Sequence, residues 1–401
     1  MIKRMQKIIK FHSSVQEVLS LPKDLKLIFS AHMLWTFGEG LYSFILPVYV
    51  IELGGTGMEI GFLYSLMFLV YTLSVLLGGF LADRLDRKKL ILFIFMFGSV
   101  SALIYSFATE WWHLVPAMLV YSLATIGGPA EDSYIAALVS KEKMTRAFTF
   151  TEMGYSLGLI FSPLLGACLL TFLSMRWLFR LSFTFGLLAV LPLFFISPQI
   201  PKKEKLGGAF ADYHASLKNK KFTLWMPLFM TFAFGITMIS PFVSATLRDT
   251  YKLGESTILI MGSISYTGEA ILGMALGGIG GKRSTSKALC LSLITVSTGA
   301  LLFASSSPFL MIPLAVFLIG GGRVAFALAR STAGTCSENA SAGAMFAIFT
   351  VLMGTTQTPA PEIGGILYKS FPVQPFLLGG VLTLSVVPFV IILEKHISRI
   401  Q

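Results

Sequence analysis

Glu39, Glu269 and Arg323 stand near the middles of long apolar runs. A charge at the centre of a bilayer costs about 2.5–3.5 kcal/mol on insertion scales, so each needs a cavity or a partner. Glu39 lies in Trp35-Thr36-Phe37-Gly38-Glu39-Gly40, where glycines give room and aromatics give an apolar wall. A carboxyl in that setting can load and release a proton or bind a cationic substrate. It can equally be a structural partner for Arg323 or a carboxyl whose hydrogen bonds are satisfied. Glu269, in Ser265-Tyr266-Thr267-Gly268-Glu269, offers the same choice. Arg323 stays charged at any relevant pH and can hold an anionic group or one of the glutamates. His32 and Glu362 lie off-centre, where packing or interfacial solvation is the simpler role. Trp35, Phe37, Tyr42, Phe232, Phe234 and Tyr266 could line a pocket, though packing alone explains any one of them.

No other chemistry is spelled out. The chain has no Gly-x4-Gly-Lys-Ser/Thr loop for ATP and no Gly-x-Ser-x-Gly nucleophile turn, and its few histidines are dispersed. Cys168, Cys290 and Cys336 have neither metal spacing nor a disulfide framework and read as small packing residues. An enzyme, a metal site and a cofactor are therefore not expected. The net charge of +11 does not indicate nucleic acid binding, because the cations cluster in loops flanking apolar segments.

The elements that must position these residues follow from composition. Of 401 residues, 55% are hydrophobic and 13% charged, against about 25% charged in a soluble protein. Mean hydropathy is +0.77. Twelve apolar runs cover 27–51, 59–81, 90–108, 113–139, 148–172, 177–197, 223–247, 256–279, 288–305, 309–335, 343–368 and 372–393. Each is long enough for a membrane helix, and too long and unalternating for a barrel strand. The fold class expected is an all-α polytopic membrane protein with twelve transmembrane helices.

Alternate loops carry Arg84, Arg87, Lys88 and Lys89, then Lys141, Lys143 and Arg146, then Lys202, Lys203 and Lys205, whereas the intervening loops hold only Arg176, Arg248, Lys252 and Lys369. The positive-inside rule then puts both termini in the cytoplasm of a plasma or inner membrane. Residues 1–26, with Lys3, Arg4, Lys7 and Lys10 among Ile2, Met5, Ile8 and Ile9, read as an amphipathic segment on the inner leaflet or as a basic tail. A long loop at 198–222 divides the chain into bundles at 27–197 and 223–393, with a tail at 394–401. Pro47 and Pro241, Gly78-Gly79 and Gly277-Gly278, Gly127-Gly128 and Gly320-Gly321, and Pro163 and Pro361 recur between the halves at a near-constant offset. This reads as two pseudo-symmetric six-helix bundles.

The block Gly79-Phe80-Leu81-Ala82-Asp83-Arg84-Leu85-Asp86-Arg87-Lys88-Lys89-Leu90 resembles the loop 2–3 signature of the major facilitator superfamily, with Asp86 where a glycine usually stands. Its second-half copy, Gly278 to Leu289, is degenerate. Run 5, with Gly154, Gly158, Pro163 and Gly166, is similar to the glycine/proline motif of the superfamily's antiporters. The resemblance implies that helices 1, 4, 7 and 10 line a central cavity, while 3, 6, 9 and 12 face lipid. It also implies a cytoplasmic latch in which Glu131 or Asp132 pairs with Arg84 or Arg87, joined by Asp83, and holds the outward-facing state. The expected function is alternating access by two rocking halves, exporting a small amphipathic molecule in exchange for protons. Run 4 lacks the arginine motif of many drug/proton antiporters. The alternatives are proton-coupled uptake of a sugar or organic anion, or a receptor or scaffold that kept the fold without turnover. The expected partners are a small-molecule substrate, H+ and lipid, with the chain acting as a monomer.

Overall fold

Proline and glycine decide where the apolar runs bend. The computed structural model describes residues 21–140, 143–201, 214, 217–282, 284–305, 310–336 and 342–400. The basic N-terminal stretch with Lys3, Arg4, Lys7 and Lys10, and most of the central loop, lie outside them. Every regular element among the described residues is helical.

The first span is two helices, α1 (Lys23–Gly40) and α2 (Leu46–Glu52), with Pro47 at the start of α2. The next four are α3 (Gly57–Ala82), α4 (Arg87–Ser106), the pair α5 (Leu114–Ala124) and α6 (Gly128–Ala137), and α7 (Met144–Leu169). The sixth is α8 (Met175–Phe194). The second half repeats the order. Its first span is again broken at a proline: α9 (Lys220–Ile239) gives way at Pro241 to α10 (Phe242–Asp249). Then come α11 (Glu255–Lys282), α12 (Thr285–Ala304), and the pair α13 (Met311–Gly320) and α14 (Gly322–Thr335). The eleventh span breaks at Pro359 between α15 (Ala342–Gln357) and α16 (Ala360–Ser370), and α17 (Gln374–Ile400) closes the chain. Ten of these spans are long and apolar enough to cross a membrane as helices or stacked pairs. The first and eleventh, split into shorter pieces, complete the twelve.

Local chemistry sets the ends. Thr56 and Glu59 form a capping box at the start of α3, with the Thr56 amide donating to Glu59 Oε2 at 2.7 Å. Asp86, the residue that replaces the signature glycine, caps α4 by accepting from the Lys88 amide at 3.0 Å. Its φ is −60°, so this turn needs no left-handed residue and the substitution is compatible with it.

Small residues allow helices to touch. A Cβ on Gly78 of α3 would collide with the carbonyl oxygen of Ile126, and the second half repeats that contact with Gly268 of α11 against the carbonyl of Phe317. This corrects the sequence alignment of the halves: Gly79, Gly277 and Gly278 have open space beside them. Cys290 and Cys336 are buried, but Cys168 is exposed and is not a core residue.

Among the described residues, the apolar core joins the two halves at one end only. At the end opposite the Asp83–Leu90 loop, one apolar core takes residues from both halves, including Tyr49, Ile60 and Phe179 with Phe242, Leu259 and Phe376. Toward the Asp83–Leu90 end each core cluster stays within one half: Leu21 to Ile196 and a small one at Ala82, Leu90 and Ala130 in the first, Phe222 to Val390 in the second. The molecule is closed at one end and splayed at the other.

Candidate functional site

The charges that sequence places in mid-span meet in the space between the halves. Gly322 follows the 3-10-like corner that ends α13, so α14 starts in mid-membrane and presents Arg323, Ala327 and Arg330 along one exposed face. Arg323 Nη1 lies 3.6 Å from Glu269 Oε1 of α11, and the two side chains keep 54% and 27% of their surface exposed. Such exposure in mid-span means that they line an open space rather than a sealed core. The partner of Arg323 is thus Glu269. Glu39, at the last turn of α1, instead accepts from the Tyr121 hydroxyl of α5 at 2.7 Å, and its Oε2 is buried without a hydrogen-bond partner. Tyr266 of α11 faces Ser43 across the halves, with their oxygens 2.9 Å apart.

A second group lies nearer the splayed end. His32 Nε2 of α1 makes an ion-pair contact with Glu131 Oε1 of α6. His32 is therefore a buried partner of an acid, which corrects the expectation of packing or interfacial solvation. Asp132, one residue on, faces across the gap to Arg330 Nη2 at 3.9 Å. Glu152 of α7 is exposed here, within electrostatic reach of His32, Asp132 and Glu269. Glu152, Tyr121 and Arg330 were missed as site residues in the sequence. For Glu152 the available signal was spacing along α7: two residues before Gly154, it falls about 200° round the helix from the glycine face that packs on α1.

The first, fourth and tenth spans border this space, as the resemblance implies, and so do the second, through Tyr71, the fifth and the eighth. Phe232 of the seventh is buried in the second-half core and lines nothing. The third, sixth, ninth and twelfth present exposed apolar side chains such as Phe93, Leu191, Ile294 and Phe389.

Run 5 packs on α1 through the residues singled out in its sequence. A Cβ on Gly154 would lie 2.8 Å from the Phe29 carbonyl oxygen, and one on Gly158 would lie 2.7 Å from the Phe37 amide. Pro163 sits inside α7, and Ser162 beside it donates to the Phe37 carbonyl. Gly166 meets Leu259 of the other half and the Leu41 backbone. This helix is therefore pressed against the stretch that carries Glu39.

The loop charges are arranged differently from the expected latch. Arg87 does not meet Glu131 or Asp132. Its guanidinium donates to Gln199 Oε1 at 2.7 Å, to the Ser133 carbonyl at 3.3 Å and to the Ala82 carbonyl at 3.3 Å. The Gln199 amide in turn donates to Asp86 Oδ1 at 3.1 Å. Arg84 lies over the Phe80 ring, and Asp83 makes no ion pair among the described residues. Close by, Asp24 accepts from the Tyr134 hydroxyl at 2.7 Å and the Ser197 amide at 3.1 Å. Burial pushes the Asp24 carboxyl up, but these donors and Lys23 outweigh it and hold it below the ordinary carboxylate range. All these contacts lie within the first half. The physical reason is the splayed state: with the halves apart at this end, the arginine turns to carbonyls and Gln199 of its own bundle.

Known proteins bear on this arrangement. The family model described as Major Facilitator Superfamily matches residues 28–236. A multidrug resistance protein, MdtG of Proteus mirabilis, is 25% identical over 311 residues, covering 74% of each chain. A probable 4-methylmuconolactone transporter of Cupriavidus pinatubonensis is 22% identical over 294 residues, covering 69% of this chain and 68% of that one. Among solved structures, the nucleoside transporter NupG superposes with a TM-score of 0.70 at 16% identity, covering 92% of this chain and 97% of the other.

Proposed function

Starting from a chain that belongs to the major facilitator superfamily of transporters, we propose that it exports a small cationic or amphipathic molecule in exchange for protons. In this reading the Asp83–Leu90 end faces the cytoplasm, the membrane is the plasma membrane, and the splayed state is inward-facing. The observation that carries it is the balance of charge in the gap. Glu39, Glu131, Asp132, Glu152 and Glu269 border a space whose cations are Arg323, Arg330 and, when protonated, His32. Carboxylates dominate, and those of the first half have mainly hydroxyl or histidine partners, so a cation entering from the splayed end finds net negative charge. Similarity to a multidrug resistance protein supports export.

Glu39 is the coupling residue in this reading, because Oε2 is buried and open to a proton or a cationic ligand. The test is reconstituted transport of a lipophilic cation driven by an imposed pH gradient. Glu39→Gln should lose the response to the gradient while retaining substrate counterflow. A mutant whose pH response matches the wild type removes Glu39 from the role, and a wild type indifferent to the gradient removes proton coupling. One observation favours a second reading, uptake of an organic anion. The ion pair of Arg323 with Glu269 is one long contact, with the Tyr155 hydroxyl also beside it, and Arg323 is 54% exposed, which leaves donors for a carboxylate. Competition by carboxylates in the same vesicles separates the two.

A further inference from the structure

At the closed end, away from the gap, two acids meet across the joint between the halves. Glu52 ends α2 in the first half and Glu255 begins α11 in the second, and their carboxyl groups are within hydrogen-bonding contact. Arg248 at the end of α10 stands beside them and donates to the Val48 carbonyl at 2.9 Å, a further link between the halves. A cavity of about 380 Å³, lined by Leu170, Arg248, Leu253, Gly254, Glu255 and Ser256, adjoins the pair and gives solvent access. The other groups facing Glu52 are Tyr49, one turn back on α2, and through it Arg176 of α8. Two carboxylates cannot hydrogen-bond to each other without a proton between them. One cation, already committed to a backbone carbonyl, stands against two acids.

We propose that Glu52 and Glu255 share one proton that holds the two halves together at this end, and that its release to solvent unlocks the end. The inference rests on the alternating access of the proposed function but not on Glu39 or on the direction of transport. The sign follows from linkage. Partial burial, then Glu255, pushes the Glu52 carboxyl up to about 8, with Arg248 acting the other way. Glu52 keeps an exposed side, so solvent screening pulls the working midpoint below that value. Once the end has opened and the acids have separated, Glu52 returns to the ordinary range near 4.3. The closed form then binds more protons than the open form between those values. Its advantage is greatest at low pH, falls as pH rises through that window, and levels off above it.

The test is a pair of spin labels spanning the closed end of the full-length protein in nanodiscs, one at the exposed native Cys168 and one at Lys369→Cys. From pH 5 up to the Glu52 midpoint the ratio of open to closed distances should rise with a slope approaching tenfold per pH unit, the mark of one proton, and should level off toward pH 9. Glu52→Gln donates from its amide without needing that proton, so its ratio should be flat and closed. Glu255→Gln should be flat as well, and serves if Glu52→Gln folds poorly. A wild type without pH dependence, or either variant with the wild-type slope, overturns the lock. Glu39→Gln should retain the slope. Loss of pH-driven transport with the slope intact supports the lock and leaves Glu39 as the coupling site. A flat slope with pH-driven transport intact overturns the lock alone, and an intact slope in a wild type whose transport ignores the gradient overturns the proposed coupling alone.

Discussion

The pair Arg323–Glu269 gives a prediction whose size follows from its geometry. At 3.6 Å, unit charges attract by about 1 kcal/mol if water screens them fully and by roughly 5 kcal/mol at an effective dielectric of about 20. Exposures of 54% and 27% place the pair between these limits, so a coupling of about 1–3 kcal/mol is expected. Arg323→Gln leaves the Glu269 carboxylate in mid-membrane without its cation, which is worse than losing both charges. In a cycle of Arg323→Gln, Glu269→Gln and the double variant, the double should therefore be more stable than Arg323→Gln alone. Detergent-titrated unfolding in mixed micelles reads each stability. Effects that add within about 0.5 kcal/mol refute the pairing. In that case Arg323 is held by something else, and the case for an anion site beside it strengthens.

Two further outcomes separate residues that look alike in sequence. Gly158→Val should lower stability by about 1–3 kcal/mol and abolish transport, because its Cβ meets the α1 backbone at Phe37; Gly79→Ala, which faces open space, should be neutral in the same melting assay. Arg87→Ala loses bonds to Gln199, Ser133 and Ala82 and should lower stability by about 2 kcal/mol, whereas Arg84→Ala, whose recorded contacts are the Phe80 ring and carbonyl, should change melting little. Equal effects of the two arginines would sink the assignment of Arg87 to the intra-half clamp.

Much of the fold was legible because membrane sequence is constrained by one requirement, burial of the backbone's polar groups in helices. The twelve runs follow from that, and so does the matching placement of Pro47 and Pro241 in the first and seventh. The site was legible only in part. Glu39, Glu269 and Arg323 stood out because charge in mid-run is costly, but their partners depend on helix rotation and on the gap between halves, which no local pattern encodes. Tyr121 could not be told from any packing tyrosine. Glu152 was passed over because it sits near the start of a run, where a charge reads as interfacial. The alignment of Gly78 with Gly277 failed for a related reason: the duplicated feature is a contact between a glycine and a carbonyl, and that contact has moved to Gly268 while the glycine pair in the sequence stayed behind.

The same separation of local from global information explains the latch. Asp83, Arg84, Arg87, Glu131 and Asp132 fall at or near the ends of neighbouring elements of the first half, so sequence can group them but cannot say which pairs form. In this state the two halves share a core at one end and have separate cores at the other. Across the splayed end the ion pair recorded is Asp132–Arg330, at 3.9 Å with both side chains more than half exposed. A pair like that is worth about 0–1 kcal/mol, too little to hold two bundles against the apolar core at the far end. The open state at this end is thus held chiefly by packing at the opposite one. Closing it must break that core, which is why a proton lock at Glu52–Glu255, placed on the core's rim, acts where a small charge change has the most leverage.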